Sequence, residues 1–436
     1  FFFFFFFFFF LSFFFFFLGG GPLPSQLSMG LQAHVVFLFW LLVSRAFADP
    51  AGFVGTASNG SMVLRPADGQ QLLIAGYDFS ALLDKMEAQA KNLERLETQV
   101  GMITQQLADQ QCMVTADTTT MTGLSGSGNW QLGVLAGNGK IYGIPVNSES
   151  VLIIDPTTNT ADTTAITGLT SGSAKWVGGV LARNGKIYGM PFNSASVLII
   201  DPTTNTADTS TITGLSGNAK WVYGVLAGNG KIYSIPRDST SVLIIDPTSN
   251  ATDTTSITNL DGTFKWIGGV LAGNGKVYGI PFNSASVLII DPSINTADTT
   301  TITGLSADAK WFGGVLASSG KIYGIPHNSA SVLIIDPTTN TADTTTITGL
   351  SKSSYKWSGG VLANNGKIYG IPRDSTSVLI IDPATNTADN TTITGLSRDA
   401  KWVGGVLAGN GKIYGIPAHS ASVLIIQQFC GNVKGL

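Results

Sequence analysis

Side chains that could bind or transform a ligand concentrate in one recurring loop of this chain. After a recurring proline, seven loops differ from one another and read PVNSES, PFNSAS, PRDSTS, PFNSAS, PHNSAS, PRDSTS and PAHSAS. Guanidinium, carboxylate and imidazole groups hydrogen-bond polar ligands, and an imidazole can also act as a general base. The candidate ligand-binding residues are therefore Arg237, Asp238, His327, Arg373, Asp374 and His419.

Other kinds of chemistry lack the residues that they require. The chain has three histidines, of which His34 precedes the loops, and Glu149 is the one glutamate in the repeated part. No Cys-x-x-Cys, HExxH, GxSxG or phosphate-loop motif occurs. The spacing of Asp155, Asn159 and Asp162 suits a calcium loop, but the proline after Asp155 and the scarcity of carboxylates favour a self-capped turn. We predict no catalytic residue, no metal site and no cofactor.

The loops belong to a unit that occurs seven times. In the copy at 175–219, the segments WVGGVLA, KIYGMP, VLIID and ADTSTIT are separated by Asn-Gly or Asp-Pro turn chemistry. The apolar VLII run suits a strand covered on both faces, the Thr-rich segment an outer edge, and Gly-Gly a crowded inner wall. The copies are marked by tryptophans 45 or 46 residues apart: Trp130, Trp176, Trp221, Trp266, Trp311, Trp357 and Trp402. The period predicts an all-β fold, a seven-bladed β-propeller of four-stranded blades.

The copies agree in some connections and differ in others. The AGNG and DPTTN turns barely change, whereas the loop after the second strand and the loop before the tryptophan vary. In a four-stranded blade these two variable loops open on the same side. Ligands are bound mainly by loops that a rigid scaffold presents. We therefore expect the ligand face at the variable loops.

The pattern GVLAGNGKIYGIP, a short loop and then VLIIDPTTN resembles blades of kelch-type and of NHL or streptogramin-lyase-like propellers. The resemblance covers residues 112–430 and concerns propeller blades in general rather than one family. Kelch blades carry Gly-Gly after the second strand and tryptophan in the fourth, whereas here Gly-Gly lies in the first strand and the tryptophan precedes it. A streptogramin-lyase-like activity implies a cluster of histidine and glutamate at the channel mouth, and the sequence shows no such cluster.

The two ends of the repeat array complement each other. The seventh copy stops after VLII at 423–426, and its missing fourth segment, ADTTTMT, occurs at 116–122. We predict that this N-terminal strand completes the last blade. Alignment with complete copies places Cys112 and Cys430 in the turn between the third and fourth strands, which predicts a disulfide at the chain break. The alternative is two unrelated free thiols.

Three segments precede the repeats. Residues 1–28 are a low-complexity, polyphenylalanine-rich stretch, interpreted as translated sequence upstream of the true start or as a membrane segment. Residues 29–48 have an apolar core and an Ala-x-Ala site, which is typical of a signal peptide, with an uncleaved anchor as the alternative. Residues 49–77 are Gly-rich and read as a linker or small cap, and residues 431–436 are a short tail.

Residues 78–110 have a helical pattern. Apolar residues recur every seven positions at Phe79, Met86, Leu93, Val100 and Leu107, with a second series that Gln89 interrupts. Such heptads predict a coiled coil, and hence a homo-oligomer formed through residues 79–109. The alternative is one amphipathic helix packed on its own chain.

Composition restricts the partners. The net charge is −3, charged residues make up 12%, and no basic run occurs, so we expect no nucleic-acid partner. The signal peptide, the paired cysteines and the sequons at Asn59, Asn250 and Asn390 favour a secreted glycoprotein. Membrane attachment would require that the N-terminal apolar segment stays uncleaved.

We interpret the chain as a secreted or cell-surface binding module that recognises a glycan or a protein through its variable loops. One alternative is a propeller enzyme of lyase or lactonase type, with His327 or His419 as the base. A second alternative is a structural surface protein without a discrete ligand.

Overall fold

The structure, a computed structural model, describes residues 53–56, 62–65, 72–73, 79–110, 112–124, 127–397 and 401–430. The predictions for residues 1–28, the signal peptide, Asn59 and the tail at 431–436 lie outside these residues. The chain divides into two compact units, Phe1–Gln111 and Cys112–Leu436, which are described separately.

The first unit contains a small sheet and one helix. Strands β1 (Phe53–Thr56), β2 (Met62–Arg65) and β3 (Leu72–Leu73) pair antiparallel in that order. The segment read as a linker or small cap thus contains a three-stranded sheet. Helix α1 spans Phe79–Gln110. None of the helices within the described ranges is both long and apolar enough to cross a membrane.

The second unit consists of seven four-stranded antiparallel sheets, as predicted. Blades 1 to 3 contain β5 (Trp130–Leu135), β6 (Ile141–Pro145), β7 (Leu152–Asp155), β8 (Thr160–Asp162); β9 (Trp176–Leu181), β10 (Ile187–Pro191), β11 (Leu198–Asp201), β12 (Thr206–Asp208); and β13 (Trp221–Leu226), β14 (Ile232–Pro236), β15 (Leu243–Asp246), β16 (Ala251–Asp253).

Blades 4 to 7 follow the same order. They contain β17 (Trp266–Leu271), β18 (Val277–Pro281), β19 (Leu288–Asp291), β20 (Thr296–Asp298); β21 (Trp311–Leu316), β22 (Ile322–Pro326), β23 (Leu333–Asp336), β24 (Thr341–Asp343); β25 (Trp357–Leu362), β26 (Ile368–Pro372), β27 (Leu379–Asp382), β28 (Thr387–Asp389); and β29 (Trp402–Leu407), β30 (Ile413–Pro417), β31 (Leu424–Cys430) with β4 (Cys112–Asp117).

Burial within a blade follows the sequence pattern. The VLII run of the third strand is buried, with Val197, Leu198 and Ile200 each fully inaccessible to solvent. The tryptophans are also buried, and the Trp176 indole N–H donates to the Ser196 carbonyl over 2.7 Å. These side chains pack with those of the neighbouring blade, so each blade contributes to two hydrophobic clusters.

The fourth strand is shorter than the predicted ADTSTIT segment. In blade 2 it covers Thr206–Asp208 only. The Asp208 carboxylate accepts the Ser210 N–H at 2.7 Å, which turns the chain out of the ladder. Beyond this turn Ile212 is 4% exposed, and its carbonyl accepts the Val197 N–H at 3.1 Å. The strand therefore ends at its aspartate because the side chain caps the following amide.

Blade 7 closes the ring by pairing the two ends of the array. Strand β31 pairs antiparallel with β4, from Ile425 opposite Asp117 to Cys430 opposite Cys112. The predicted strand 116–122 therefore lies earlier, at 112–117, and both cysteines lie in extended strands rather than in a turn. No covalent turn joins β31 to β4, so their ladder continues for three residue pairs beyond the pair formed by Gln427 and Thr115. The register sets the cysteines side by side, and the disulfide itself stays a prediction.

The AGNG and DPTTN turns join neighbouring blades at one end of the propeller, the turn face. The Tyr188 hydroxyl donates to Asn250 Oδ1 at 2.9 Å, and the Asn184 amide donates to the Pro247 carbonyl at 3.0 Å. Asn250 has a left-handed φ of 58° and is half-buried, whereas Asn390 directly follows β28. Glycosylation of both residues stays a prediction.

Candidate functional site

The variable loops meet at the other end of the blades, the variable-loop face. Each blade contributes the 2–3 loop, which follows the proline of its second strand, and the entry loop, which precedes its tryptophan. In blade 3 the backbone N–H of Arg237 donates to the Lys220 carbonyl at 2.9 Å. The backbone N–H of Lys265 in blade 4 donates to the Arg237 carbonyl at 3.0 Å. The two loop types therefore form one continuous hydrogen-bonded surface, as their alternation in sequence predicts.

Buried lysines hold this surface together, a role that the sequence interpretation missed. The Lys220 ammonium donates to the carbonyls of Phe192, Ser194 and Gly217 at 3.0, 2.9 and 2.6 Å, and it lies 5.8 Å from the Trp221 ring centroid. Burial lowers the pKa of Lys220 to about 8. Six lysines that are 3 to 5% exposed directly precede a tryptophan: Lys175, Lys220, Lys265, Lys310, Lys356 and Lys401. In the sequence, the Lys-Trp pair could have identified these lysines, and blade 1 has Asn129-Trp130 in its place.

A cavity of about 430 Å³ opens on the variable-loop face. Its walls are mainly aromatic and aliphatic, and its polar side chains include carboxamides, one carboxylate and two guanidiniums. The lining includes Phe192, Arg237, Phe264, Phe282, Asp308, Phe312, His327, Tyr355 and Arg373. An apolar pocket with a few converging polar groups is the usual form of a ligand site.

Arg237 lies half-buried in the wall of the cavity. Its guanidinium stacks 3.3 Å from the ring centroid of Phe264 and lies 5.1 Å from that of Phe192. Its Nη1 contacts Asp238 Oδ2 at 2.9 Å, and the other Asp238 oxygen accepts the Phe264 N–H at 2.6 Å. Asp238 therefore fixes both the arginine and the entry loop of the next blade.

Arg373 occupies the same loop position in blade 6. Its guanidinium lies 4.6 Å from the Tyr355 ring centroid. The neighbouring Asp374 donates its backbone N–H to the Tyr355 carbonyl at 3.0 Å. In the part of the chain that the structure describes, no carboxylate forms an ion pair with Arg373. Two arginines thus line one cavity in different surroundings.

His327 lies between the arginine-bearing blades and is 1% exposed. Its ring packs 5.5, 5.3 and 5.1 Å from the ring centroids of Phe282, Phe312 and Tyr355. Nδ1 lies 2.9 Å from the Trp357 carbonyl, and because a carbonyl only accepts, Nδ1 carries the proton. Burial lowers the pKa of His327 to about 4, with further lowering by the charges of Arg373 and Lys356. The imidazole is therefore neutral at pH 7.

His419 lies apart from the cavity lining. Its Nδ1 is 2.9 Å from the Ser127 hydroxyl of the first entry loop, where it bridges blades 7 and 1. Of the six predicted residues, the cavity lining thus includes Arg237, His327 and Arg373, while Asp238 supports it from behind. Their role in binding remains a proposal.

Two aromatic residues of the entry loops were missed because the candidate residues were taken only from the loop after each second strand. Phe264 and Tyr355 are 41% and 45% exposed, with left-handed φ values of 52° and 57°. The equivalent residues of other blades include Ala174, Ala219 and Ala309, which have φ values of 50 to 52°. Large apolar side chains therefore replace alanine at two mouth positions where packing does not demand them. A comparison of the seven copies in the sequence could have identified both aromatic residues.

The floor beneath the cavity also departs from the repeat. The third residue of each first strand has a left-handed φ near the axis and is glycine in five blades: Gly178, Gly268, Gly313, Gly359 and Gly404. A Cβ on Gly268 would lie 2.6 Å from the Gly313 Cα, so the inner backbones nearly touch. Blades 1 and 3 instead carry Leu132 and Tyr223, and these side chains contribute to a cluster with Val222 and Ile267 of the cavity lining.

Tyr223 has a second unusual feature. Its hydroxyl is buried and has no hydrogen-bond partner among the described residues. Burial raises the pKa of this hydroxyl. In the same blade Ser234 replaces a glycine, and its hydroxyl donates to the Tyr223 carbonyl at 2.9 Å. In the sequence, Tyr223 in WVYGVL and Ser234 in KIYSIP could have identified this departure from the repeat.

The site chemistry favours binding by stacking and hydrogen bonding. Within the described ranges, no group of three or more histidine, cysteine, aspartate or glutamate side chains is arranged to hold a metal ion. The cavity combines aromatic faces with neutral and cationic hydrogen-bond donors. Such a set can hold a ligand that has both apolar surface and polar oxygens.

Comparisons at the sequence level reach part of the chain. A family model described as a repeat of unknown function (DUF6923) matches residues 179–361. No curated protein matches this chain in sequence.

Solved structures share the fold at low sequence identity. A streptogramin B lyase is similar with a TM-score of 0.56 and 10% identity, covering 72% of this chain and 98% of the lyase. A catalytically inactive virginiamycin B lyase from Staphylococcus aureus, solved with quinupristin, gives a TM-score of 0.55 at 9% identity, covering 72% and 99%. The extracellular domain of a putative one-component system from B. thetaiotaomicron gives 0.52 at 11%, covering 86% and 46%. These likenesses, together with the sheet order, show that this chain is a seven-bladed β-propeller.

Proposed function

We propose that this propeller is an extracellular binding module that takes part of a glycan into the cavity of its variable-loop face. The observation that carries the proposal is the set of aromatic side chains around the mouth, where Phe264 and Tyr355 replace the alanine of other copies. Aromatic faces stack on the C–H faces of sugar rings. The carboxamides and guanidiniums of the same lining supply partners for hydroxyl groups.

The extracellular part of the proposal has separate support. The signal-peptide pattern and the cysteine pair favour secretion. Similar folds occur in extracellular domains of B. thetaiotaomicron proteins.

A glycan array probed with the chain tests the proposal directly. Phe264→Ala and Tyr355→Ala restore the residue that other copies carry at the same left-handed φ, so the fold should tolerate both changes. We expect the double variant to keep its melting temperature and to lose most array binding. Ile294→Ala is the matched control because Ile294 is 68% exposed in a DPTTN-type turn.

The possible outcomes separate the three candidate functions. Capture of peptides but no glycan would favour a protein ligand, and equal glycan binding by the Phe264→Ala/Tyr355→Ala variant would remove the cavity from the mechanism. Absence of any ligand would favour a structural surface protein.

The lyase or lactonase alternative rests on the fold shared with streptogramin B lyase and on His327 in the cavity wall. A base is most effective when its pKa lies near the working pH, and the lowered pKa of His327, about 4, makes it a weak base. His327→Phe uses the residue found at this position in blades 2 and 4. Turnover of a lyase or lactone substrate by the wild type and its loss in this variant would favour the enzyme.

A further inference from the structure

The cavity has a chemical preference that the proposed function leaves open. The charged side chains of its lining are Arg237, Arg373 and Asp308, and His327 is neutral. Asp308 also lies close enough to the Lys310 ammonium to raise its pKa against the stronger effect of burial. Two lining side chains are thus cationic and one is anionic, and the Asp238 carboxylate behind the wall pairs with Arg237.

Arg237 has donors to spare. A guanidinium presents five N–H donors in a fork, and Arg237 uses Nη1 for its contact with Asp238 at 2.9 Å. The other Asp238 oxygen accepts the Phe264 N–H, and Nη1 is the one guanidinium atom that contacts Asp238 among the described residues. The two phenylalanine rings lie 5.1 and 3.3 Å from the guanidinium and restrict it, so less side-chain freedom is left to lose on binding.

Arg373 adds a second cation at the same cavity. It is fixed against Tyr355, and within the described residues it lacks a carboxylate partner. Burial is the main cause of the lowered pKa of His327, and the charges of Arg373 and Lys356 lower it further. The ammonium groups of Lys310 and Lys356 add positive charge beneath the same loops, where they bind backbone carbonyls.

We propose that the ligand is an acidic glycan, whose carboxylate or sulfate groups are bound by Arg237 and Arg373 while its sugar rings stack on Phe264 and Tyr355. This inference rests on the proposed glycan-binding function. Guanidiniums match carboxylate and sulfate oxygens with two parallel hydrogen bonds, and partial burial strengthens such pairs.

Paired glycans provide the test. The array carries each carboxylated or sulfated glycan beside its carboxyl-reduced or desulfated counterpart, and the intact chain is applied at low and high salt. We expect the acidic member of a pair to bind at least tenfold more tightly, with the difference shrinking as salt rises. Equal binding of both members would overturn the acidic preference and leave glycan binding intact. Binding to no glycan would overturn the proposed function as well.

Loop replacements identify the arginines as the cause. Arg237→Phe with Asp238→Asn, and Arg373→Phe with Asp374→Asn, convert each loop to the Phe-Asn sequence of blades 2 and 4 without changing the net charge. Each replacement should weaken the acidic glycan about tenfold or more and change the neutral counterpart little. Arg183→Gln, in the exposed AGNG-type turn of blade 2, is the matched control. Unchanged affinity in both loop replacements, with melting temperatures retained, would assign the anion site elsewhere.

A conservative change separates charge from geometry. Arg237→Lys keeps the positive charge but loses the planar fork. If Arg237 binds an oxyanion with two hydrogen bonds, this variant should also lose affinity for the acidic glycan, whereas full retention would reduce Arg237 to a general electrostatic contribution.

Discussion

At the scale of single residues, burial of the Tyr223 hydroxyl lowers the free energy of unfolding. It is buried without a partner among the described residues, whereas the Tyr188 hydroxyl contacts Asn250 and the Pro247 carbonyl. An unsatisfied buried hydroxyl costs about 1–3 kcal/mol, and a satisfied one contributes about 1 kcal/mol. The two tyrosines therefore form a matched pair within one chain.

We expect Tyr223→Phe to raise the free energy of unfolding and Tyr188→Phe to lower it, each by about 1 kcal/mol. Urea unfolding of the two variants and the wild type measures both changes. Equal destabilisation by both variants would contradict the assignment and would mean that the Tyr223 hydroxyl is hydrogen-bonded in solution.

His327 makes stability depend on pH. Its pKa is about 4 in the folded chain against an ordinary 6.5, so between these values the unfolded chain binds more protons. Stability therefore falls as the pH drops from 6.5 to 4, by on the order of 3 kcal/mol for this group. His327→Phe should remove that part of the slope.

Chemical denaturation at several pH values from 4 to 7 measures the slope. His419→Phe is the control, because His419 lies outside the cavity and is bound to Ser127. Parallel pH profiles for the wild type and His327→Phe would contradict the proposed burial of a neutral imidazole.

At the scale of elements, helix α1 displays an apolar seam. Leu93, Leu96, Val100 and Ile103 follow the heptad and are 49 to 60% exposed. Coiled-coil pairing buries such positions, so self-association remains the prediction.

We expect Leu96→Glu with Ile103→Glu to reduce the particle mass in light scattering, because charges cannot enter the seam. Lys91→Glu with Thr98→Glu changes the opposite side of the heptad and should leave the mass unchanged. A wild type that is already monomeric would make α1 a helix without a self-association role.

The elements also show how far the sequence alone could predict this protein. The period, the turns and the VLII run predicted the blades and their first three strands. The length of the fourth strand was missed, because the cap by residues such as Asp208 depends on side-chain geometry that a Thr-rich run does not reveal. Phe264 and Tyr355 were missed because their exposure results from left-handed turns held by the preceding 2–3 loop.

At the scale of the whole molecule, ring closure depends on strands from opposite ends of the array. The register sets Cys430 opposite Cys112. Closing so long a loop with a disulfide would stabilise the fold by about 5 kcal/mol in the chain-entropy model.

We expect peptide mapping without reductant to recover the two cysteines in one cross-linked fragment. Cys112→Ser with Cys430→Ser should then lower the melting temperature in oxidising buffer, and Ser216→Ala should have a much smaller effect because Ser216 is exposed. A count of two free thiols in the secreted protein would contradict the disulfide.

The shared blade also determines the order in which the protein is made. On the ribosome, β4 emerges before blades 1 to 6 and must wait for β31, which follows those blades in the chain. Until then β4 lacks its hydrogen-bonding partner, and once β31 has emerged its exposed edge accepts β4 from the same chain or from a neighbour. Refolding at high protein concentration therefore favours rings in which two chains exchange β4. The pairing of Cys112 with Cys430 would then show which chain supplied the strand.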